Sequence, residues 1–254
     1  MYMNEQQEKR NINFIYGSRS VIEAIEAGKE IDKLLIQKDI KNDLIKETLS
    51  LASQFNIPVS LAPIEKLNRI TRKNHQGAIA FLSAIEFASI DHIIESCFQR
   101  GKDPFLIVLD GVTDVRNFGA IARTAECAGV DAIIIPGKGS AQLNSDAVKT
   151  SAGALNHIPV CREKNLVQTL KYLKNNGLAV VAATEKAEKN LYETDFTHPV
   201  VLVVGAEDVG ISSDILKIAD DWVAIPQYGK IASLNVSVAA AVFIYEVVRQ
   251  RKND

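Results

Sequence analysis

Cysteine is scarce: Cys97, Cys127 and Cys161 are the only three in 254 residues, far apart and without a Cys-x-x-Cys pair. That excludes a disulfide scaffold and a thiolate zinc site, and it points to a reducing cytoplasm. Aromatic residues make up 6%, with a single tryptophan, too few to expect an extended aromatic platform for stacked bases. Glycine and proline, 14 and 7, are too sparse for a disordered or fibrous chain. No apolar run approaches the roughly 20 residues that span a bilayer, and Met1 to Arg10 is a polar stretch with no apolar signal core. No excess of either charge is present: 29 basic against 31 acidic residues leave a net charge of −2, so any nucleic-acid contact must be a local basic face.

What the chain does have is length, hydrophobic content of 47%, and two textures. About 150 residues per domain allow one large domain or two small ones. After a polar tail over residues 1–12, short strands and helices alternate from Asn13 to about residue 88. Ser20 and Glu23 stand at capping-box spacing before a helix that Gly28 would end. Leu44, Leu51 and Phe55 mark one side of a second helix, and Pro63 opens a third. Residues 89–103 read as a linker that includes a helical stretch, Ser89 to Gln99, with Gly101-Lys102-Asp103-Pro104 as the boundary.

From 104 to 254 the pattern changes. Phe105–Leu109, Ala132–Ile135, Leu178–Ala183, Val200–Val204 and Trp222–Ile225 are apolar without alternation, as strands covered on both faces must be. Helices between them end at Gly129 and Gly177, so an open parallel α/β sheet is predicted. Ligands of such sheets gather beyond the carboxyl ends of the strands.

Three strand-end segments combine glycine with uncharged hydrogen-bonding side chains: Asn117-x-Gly119-x-x-x-Arg123, Gly205-Ala-Glu207-x-x-Gly210, and Ile225-Pro226-x-x-Gly229-x-x-x-Ser233-Leu234-Asn235-Val236-Ser237. None is a dinucleotide fingerprint, and Gly137-Lys138-Gly139-Ser140 lacks P-loop spacing. The chain also has no His-Glu-x-x-His metal motif and no nucleophile elbow, and no metal is expected.

In order and spacing these segments resemble the SpoU/TrmH family of RNA ribose 2′-O-methyltransferases, within the SPOUT superfamily, most nearly the 23S rRNA guanosine enzymes. Val115-Arg116 and Asp208 depart from that pattern, which more often has proline with a small or histidine residue, and glycine. The resemblance spans about residues 13–250, with Tyr16-Gly17 and His75-Gln76-Gly77 carrying it in the first module. It implies an L30e-like RNA-binding domain followed by a SPOUT domain with a C-terminal trefoil knot. It also implies S-adenosylmethionine as cofactor, held by Thr184, Gly205, Ile225, Gln227 and Leu234. Asn117, Arg123, Glu207, Ser233 and Asn235 become the catalytic candidates, and a homodimer through the C-terminal domain is expected.

Chemistry narrows these roles. Attack by a ribose hydroxyl needs alignment, worth on the order of 7–11 kcal/mol, and a way to lose the proton. A charged guanidinium has no acceptor, so Arg123 suits phosphate gripping and alkoxide stabilisation better than proton removal. Asn117, Ser233 and Asn235 double as helix-capping candidates. Val236 to Val248 is apolar nearly all the way round apart from Ser237 and Glu246, so the last helix calls for cover that a second copy would supply. Arg69, Arg72, Lys73 and His75 form the best phosphate-contacting stretch. A tRNA guanosine 2′-O-methyltransferase and a non-catalytic ribosome-assembly factor are the competing readings.

Overall fold

The computed structural model describes residues 14–231 and 233–252, so the polar tail expected over 1–12 lies outside the described residues. The chain divides into two compact units, Met1–Ala84 and Ile85–Asp254.

The first unit runs β1 (Phe14–Tyr16), α1 (Ser18–Glu26), β2 (Ile31–Gln37), α2 (Asp43–Gln54), β3 (Val59–Ala62), α3 (Ile64–Ile70) and β4 (Ala78–Leu82). Its sheet has the order β1-β4-β2-β3, with only β2 and β3 parallel. Val21 and Ile25 of α1 and Ile45 and Ala52 of α2 bury one face of it. Gly28 ends α1 in the left-handed region as its position required. Two local readings change. Gly17, not Ser20, precedes the first turn of α1, and no side chain caps it. The inward face of α2 is Ile45, Thr48 and Ala52, while Phe55 is half exposed. Thr48 takes a core position because its hydroxyl donates back to the Leu44 carbonyl at 2.7 Å, which satisfies it without water.

The second unit opens with α4 (Ile90–Gln99), β5 (Phe105–Asp110), α5 (Val115–Cys127), β6 (Ala132–Pro136), α6 (Ser145–Thr150) and β7 (Val160–Glu163). It continues with α7 (Leu166–Asn175), β8 (Ala179–Ala183), β9 (Val200–Gly205), α8 (Ser213–Leu216), β10 (Asp221–Val223) and α9 (Val236–Arg251). The strands form one parallel sheet in the order β10-β8-β9-β5-β6-β7. One face packs on α5 and α9, through Phe118, Ile121, Phe243 and Ile244. The other packs on α4 and α7, through Ile90, Ile94, Leu170 and Leu173. The stretch 89–103, read as a linker, therefore contributes a helix to this unit's core. Burial on both faces is why β5, β6, β8 and β9 are unbroken apolar runs.

The last helix is fastened at its far end. Arg251 donates to the carbonyls of Phe196 (3.0 Å), His198 (2.6 Å), Asp103 (2.9 Å) and Pro104 (3.4 Å), and its guanidinium lies 5.5 Å from the Phe105 ring. Gln250 donates to the Thr194 carbonyl and accepts from the Phe196 amide.

Candidate active site

The three motifs meet at the carboxyl edge of the parallel sheet. Asp110 ends β5 and Gly205 ends β9, and these two residues are register partners on neighbouring strands. The loops leaving them therefore rise side by side. Asp110 accepts the Ser212 amide at 2.7 Å, tying the second loop back to the first strand. Between the loops lies a cleft of about 220 Å³ whose wall includes Val112, Asp114, Asn117, Glu207 and Val236.

Asn235 joins the motifs. Its Nδ2 donates to Asn117 Oδ1 at 3.1 Å and to Glu207 Oε1, while its Oδ1 accepts from the Ser237 amide (2.9 Å) and hydroxyl (2.6 Å). That uses both donors and both acceptor sites of the carboxamide. Asn235 is thus the N-cap of α9 and the clasp between the other two motifs at once. Of its two readings from the sequence, catalytic contact and helix cap, the cap is formed, and its other hydrogen bonds also go to protein. Glu207 Oε1 also accepts the Val236 amide at 3.4 Å, and Oε2 has no partner among the described residues.

Asn117 does not cap α5. Asp114 does, accepting the Arg116 and Asn117 amides at 2.9 and 2.8 Å, so α5 starts at Val115 and the Asn117 side chain is released towards the cleft. Asp114 was missed by sequence reasoning, although an aspartate three residues ahead of a helical pattern is a cap signal.

Two motif glycines are demanded by backbone packing. A Cβ on Gly205 would collide with the Gly210 carbonyl carbon and the Ile211 nitrogen, because the 206–210 loop folds back through an Ala206–Gly210 bridge. A Cβ on Gly119 would come within 2.8 Å of Thr150 Cβ, where α6 crosses α5 and Thr150 Oγ1 donates to the Val115 carbonyl. The sequence reading gave Gly205 to cofactor approach; the loop explains it without a ligand.

The remaining candidates lie apart. Ile225 and Gln227 wall a second cleft of about 370 Å³, with Asn190, Ala224 and Pro226, at the ends of β8 and β10. Thr184 follows β8, nearly buried, its amide donating to the Val223 carbonyl. Leu234 and Ser233 are exposed on the segment leading into Asn235. Arg123 is exposed on α5 with no hydrogen bond or ion pair to a described residue, and six residues past Asn117 it starts about 9 Å further along the helix axis. It is not part of the Asn117–Glu207–Asn235 contact set.

In the first unit Arg69, Arg72 and Lys73 are exposed, but His75 is buried. Its Nδ1 accepts the Gly77 amide at 3.1 Å and its Nε2 sits 3.0 Å from Asn68 Oδ1, so both ring nitrogens are occupied in shaping the turn before β4. It is withdrawn from the set of phosphate contacts.

Comparison with known proteins decides the family. Residues 104–245 match the model of the SpoU rRNA methylase family, and residues 14–88 match that of the RNA 2′-O ribose methyltransferase substrate-binding domain. The chain belongs to the SpoU/TrmH family of RNA methyltransferases. A Staphylococcus saprophyticus protein assigned to the TrmH family of tRNA/rRNA methyltransferases is 38% identical over 237 residues, 93% of this chain and 95% of its own. YacO of Bacillus subtilis, with the same assignment, is 32% identical over 94% of this chain and 96% of its own. Among solved structures, the AdoMet-bound rRNA methyltransferase of Sinorhizobium meliloti is 25% identical, with a TM-score of 0.58, covering 93% of this chain and 86% of its own. The SpoU methyltransferase AviRb of Streptomyces viridochromogenes, in complex with AdoMet, shares the fold at 23% identity and a TM-score of 0.61, over 95% of this chain and 91% of its own.

Two of the three thiols of this SpoU/TrmH chain, Cys97 and Cys161, are buried, and Cys127 is exposed. Burial pushes the Cys161 thiol up to about 12 and, with Asp131 adding to it, raises Cys97 as well. No described group of histidine, cysteine and carboxylate side chains could hold a metal ion, and no described helix is long and apolar enough to cross a membrane.

Proposed function

We propose that this chain methylates a ribose 2′-hydroxyl of RNA, on a guanosine of 23S rRNA, using S-adenosylmethionine. The observation that carries this reading is the Asn235 clasp, which brings a carboxylate and two carboxamides from three distant motifs to one cleft at the sheet's carboxyl edge. Among the described residues Glu207 Oε2 is open as acceptor for the hydroxyl proton, and Asn117 Nδ2 is open as donor to a ribose oxygen. Asn235 donates to both side chains and so acts through them as a positioning residue. Ser233 and Arg123, both exposed, complete the polar surface offered to the nucleotide. The charged Arg123 fork suits the phosphate beside the target ribose.

The cofactor fits the adjoining cleft on the grounds of size and lining. About 370 Å³ lies within the roughly 300–1,000 Å³ of small-molecule sites, Ile225 and Pro226 give an apolar wall, and with the lining Lys189 ion-paired to Asp221, Glu185 and Glu188 leave negative charge at its edge, complementary to a sulfonium and an ammonium. Gln227 lines it and Thr184 follows β8 beside it, while Gly205 and Leu234 are carried as cofactor residues by the family resemblance alone. When bound, the cofactor supplies an electrophilic methyl group on a sulfur that leaves neutral.

The reading includes a cytoplasmic homodimer with a knotted C-terminal segment. Along α9, Val238 and Tyr245 stand about half exposed on the side away from the core, which supports a partner copy lying there. The knot belongs to the reading through the family resemblance. Arg69, Arg72 and Lys73 would hold rRNA phosphates.

The test is to incubate the protein and methyl-labelled cofactor separately with isolated 23S rRNA and with tRNA. The expected result is label on 23S rRNA at one guanosine whose following phosphodiester resists alkali. Label on tRNA alone would move the substrate, and label on a base would overturn the ribose assignment.

A further inference from the structure

The first unit's sheet has a second face, and it is covered unevenly. Strand β2, with α3 resting on it, buries Leu35 and Leu67 against Ile79. Among the described residues the half built from β1 and β4 is left to three rings. Phe14, Tyr16 and Phe81 alternate onto this face, Phe14 directly opposite Phe81 in the antiparallel register. Their centroids lie 6.2 Å (Phe14–Tyr16) and 6.3 Å (Phe14–Phe81) apart, tilted at 52° and 55°. Each ring is half-buried, so each keeps surface in water. Cations frame them: Lys73 Nζ sits 5.7 Å from the Tyr16 ring centre, and Lys33 pairs across from Phe81 on the same face. Arg69 and Arg72, on α3 and just after it, are exposed and have no acidic partner among the described residues.

We infer that this face stacks unpaired RNA bases on Phe14, Tyr16 and Phe81 while Lys33, Arg72 and Lys73 hold the adjoining phosphates. Rings and cations in one patch of a chain with net charge −2 match a polyanion with π-faces, and neither component alone would. The low aromatic content argued against a platform, but three of the fifteen phenylalanine and tyrosine side chains converge here. A single strand presents both bases and phosphates, whereas a duplex hides its bases, so the face selects single-stranded RNA. This rests on the reading that the chain acts on RNA.

The test is fluorescence anisotropy of the full chain with a short unstructured RNA and with a blunt duplex, across a salt series. Replacing both Tyr16 and Phe81 by leucine keeps apolar cover and removes the rings. Single-strand affinity should fall by at least about 5-fold, the low end for losing one base–aromatic stack when two rings are removed, at unchanged salt slope. Lys73→Ala should instead lower the slope by about 0.7. Tyr16→Phe should bind as the parent does. Unchanged affinity in the leucine variant, or equal loss for the duplex, would overturn the platform. Should that variant not fold by its melting curve, 4-thiouridine crosslinking of the unaltered protein decides: crosslinks on peptides carrying Phe14, Tyr16 or Phe81 support it, and crosslinks confined elsewhere refute it. Ring-dependent binding without methyl transfer to any RNA would sink the methyltransferase reading alone. Methyl transfer with ring-independent binding would sink the platform alone.

Discussion

Asn235 donates to Glu207 with the same Nδ2 that donates to Asn117, and its Oδ1 caps the last helix. One carboxamide therefore couples the stability of α9 to the geometry of the site, and substitutions can separate the two. Asn235→Ala should cost about 0.5–2 kcal/mol through the lost cap and at least about 100-fold in methyl transfer. Asn235→Ser keeps a capping oxygen but cannot reach two partners. Its urea midpoint should return close to the parent value while transfer stays low; recovery of transfer would show that the clasp is not needed.

Arg123 gives the opposite profile. Exposed and without a protein partner among the described residues, it should be removable with less than about 0.5 kcal/mol change in stability. Arg123→Ala should nevertheless abolish transfer, and Arg123→Lys should not restore it, because an ammonium lacks the planar fork. Near-parental turnover in either variant removes Arg123 from the mechanism.

The two glycines of the second motif should behave differently. Gly205→Ala meets backbone atoms that cannot move aside, so a loss of about 3 kcal/mol or insoluble protein is expected. Gly210 has a φ of +71° and open space around it, so alanine there should cost only about 1–2 kcal/mol. Thermal melts of both variants read this order directly.

Arg251→Ala would leave the Phe196, His198 and Asp103 carbonyls without their donor, while Pro104 keeps the Val200 amide, and a loss of about 2–4 kcal/mol should appear in urea melts. Arg251→Lys should recover only a fraction of it.

Acid should loosen the same helix. Hydrogen bonds from Arg249 hold the Glu246 carboxyl below its ordinary value of 4.5, against the opposing effect of burial and with help from Gln250. The unfolded chain then binds more protons between that depressed value and about 4.5, so this contribution is complete above the window and disappears as pH falls through it. Glu246→Gln should flatten that part of the stability profile below about pH 4.5; an unaltered slope would assign the acid loss elsewhere.

Much of this was written in the sequence, and the gaps have physical causes. Strands β5, β6, β8 and β9 were visible because burial on both faces leaves them apolar up to Asp110, the last residue of β5. Strand β7 was not, because it lies at the sheet edge and carries Arg162 and Glu163 in a four-residue run. The start of α5 was placed late because Asn117 looked like its cap, and only the structure shows Asp114 already doing that. The motif spacing marked the residues around the cleft, but not that Asn235 is saturated by protein partners or that Gly205 serves its own loop. His75 was counted with its basic neighbours because charge and burial cannot be told apart along a string of letters. The paired rings of Phe14 and Phe81 lie 67 positions apart, and nothing short of the β1–β4 register brings them together.

Asn235 stands 118 positions after Asn117 and 28 after Glu207. A chain stopped short of Asn235 and α9 would therefore lack the clasp however completely its sheet had formed, keeping two of the three polar groups and losing the one that joins them.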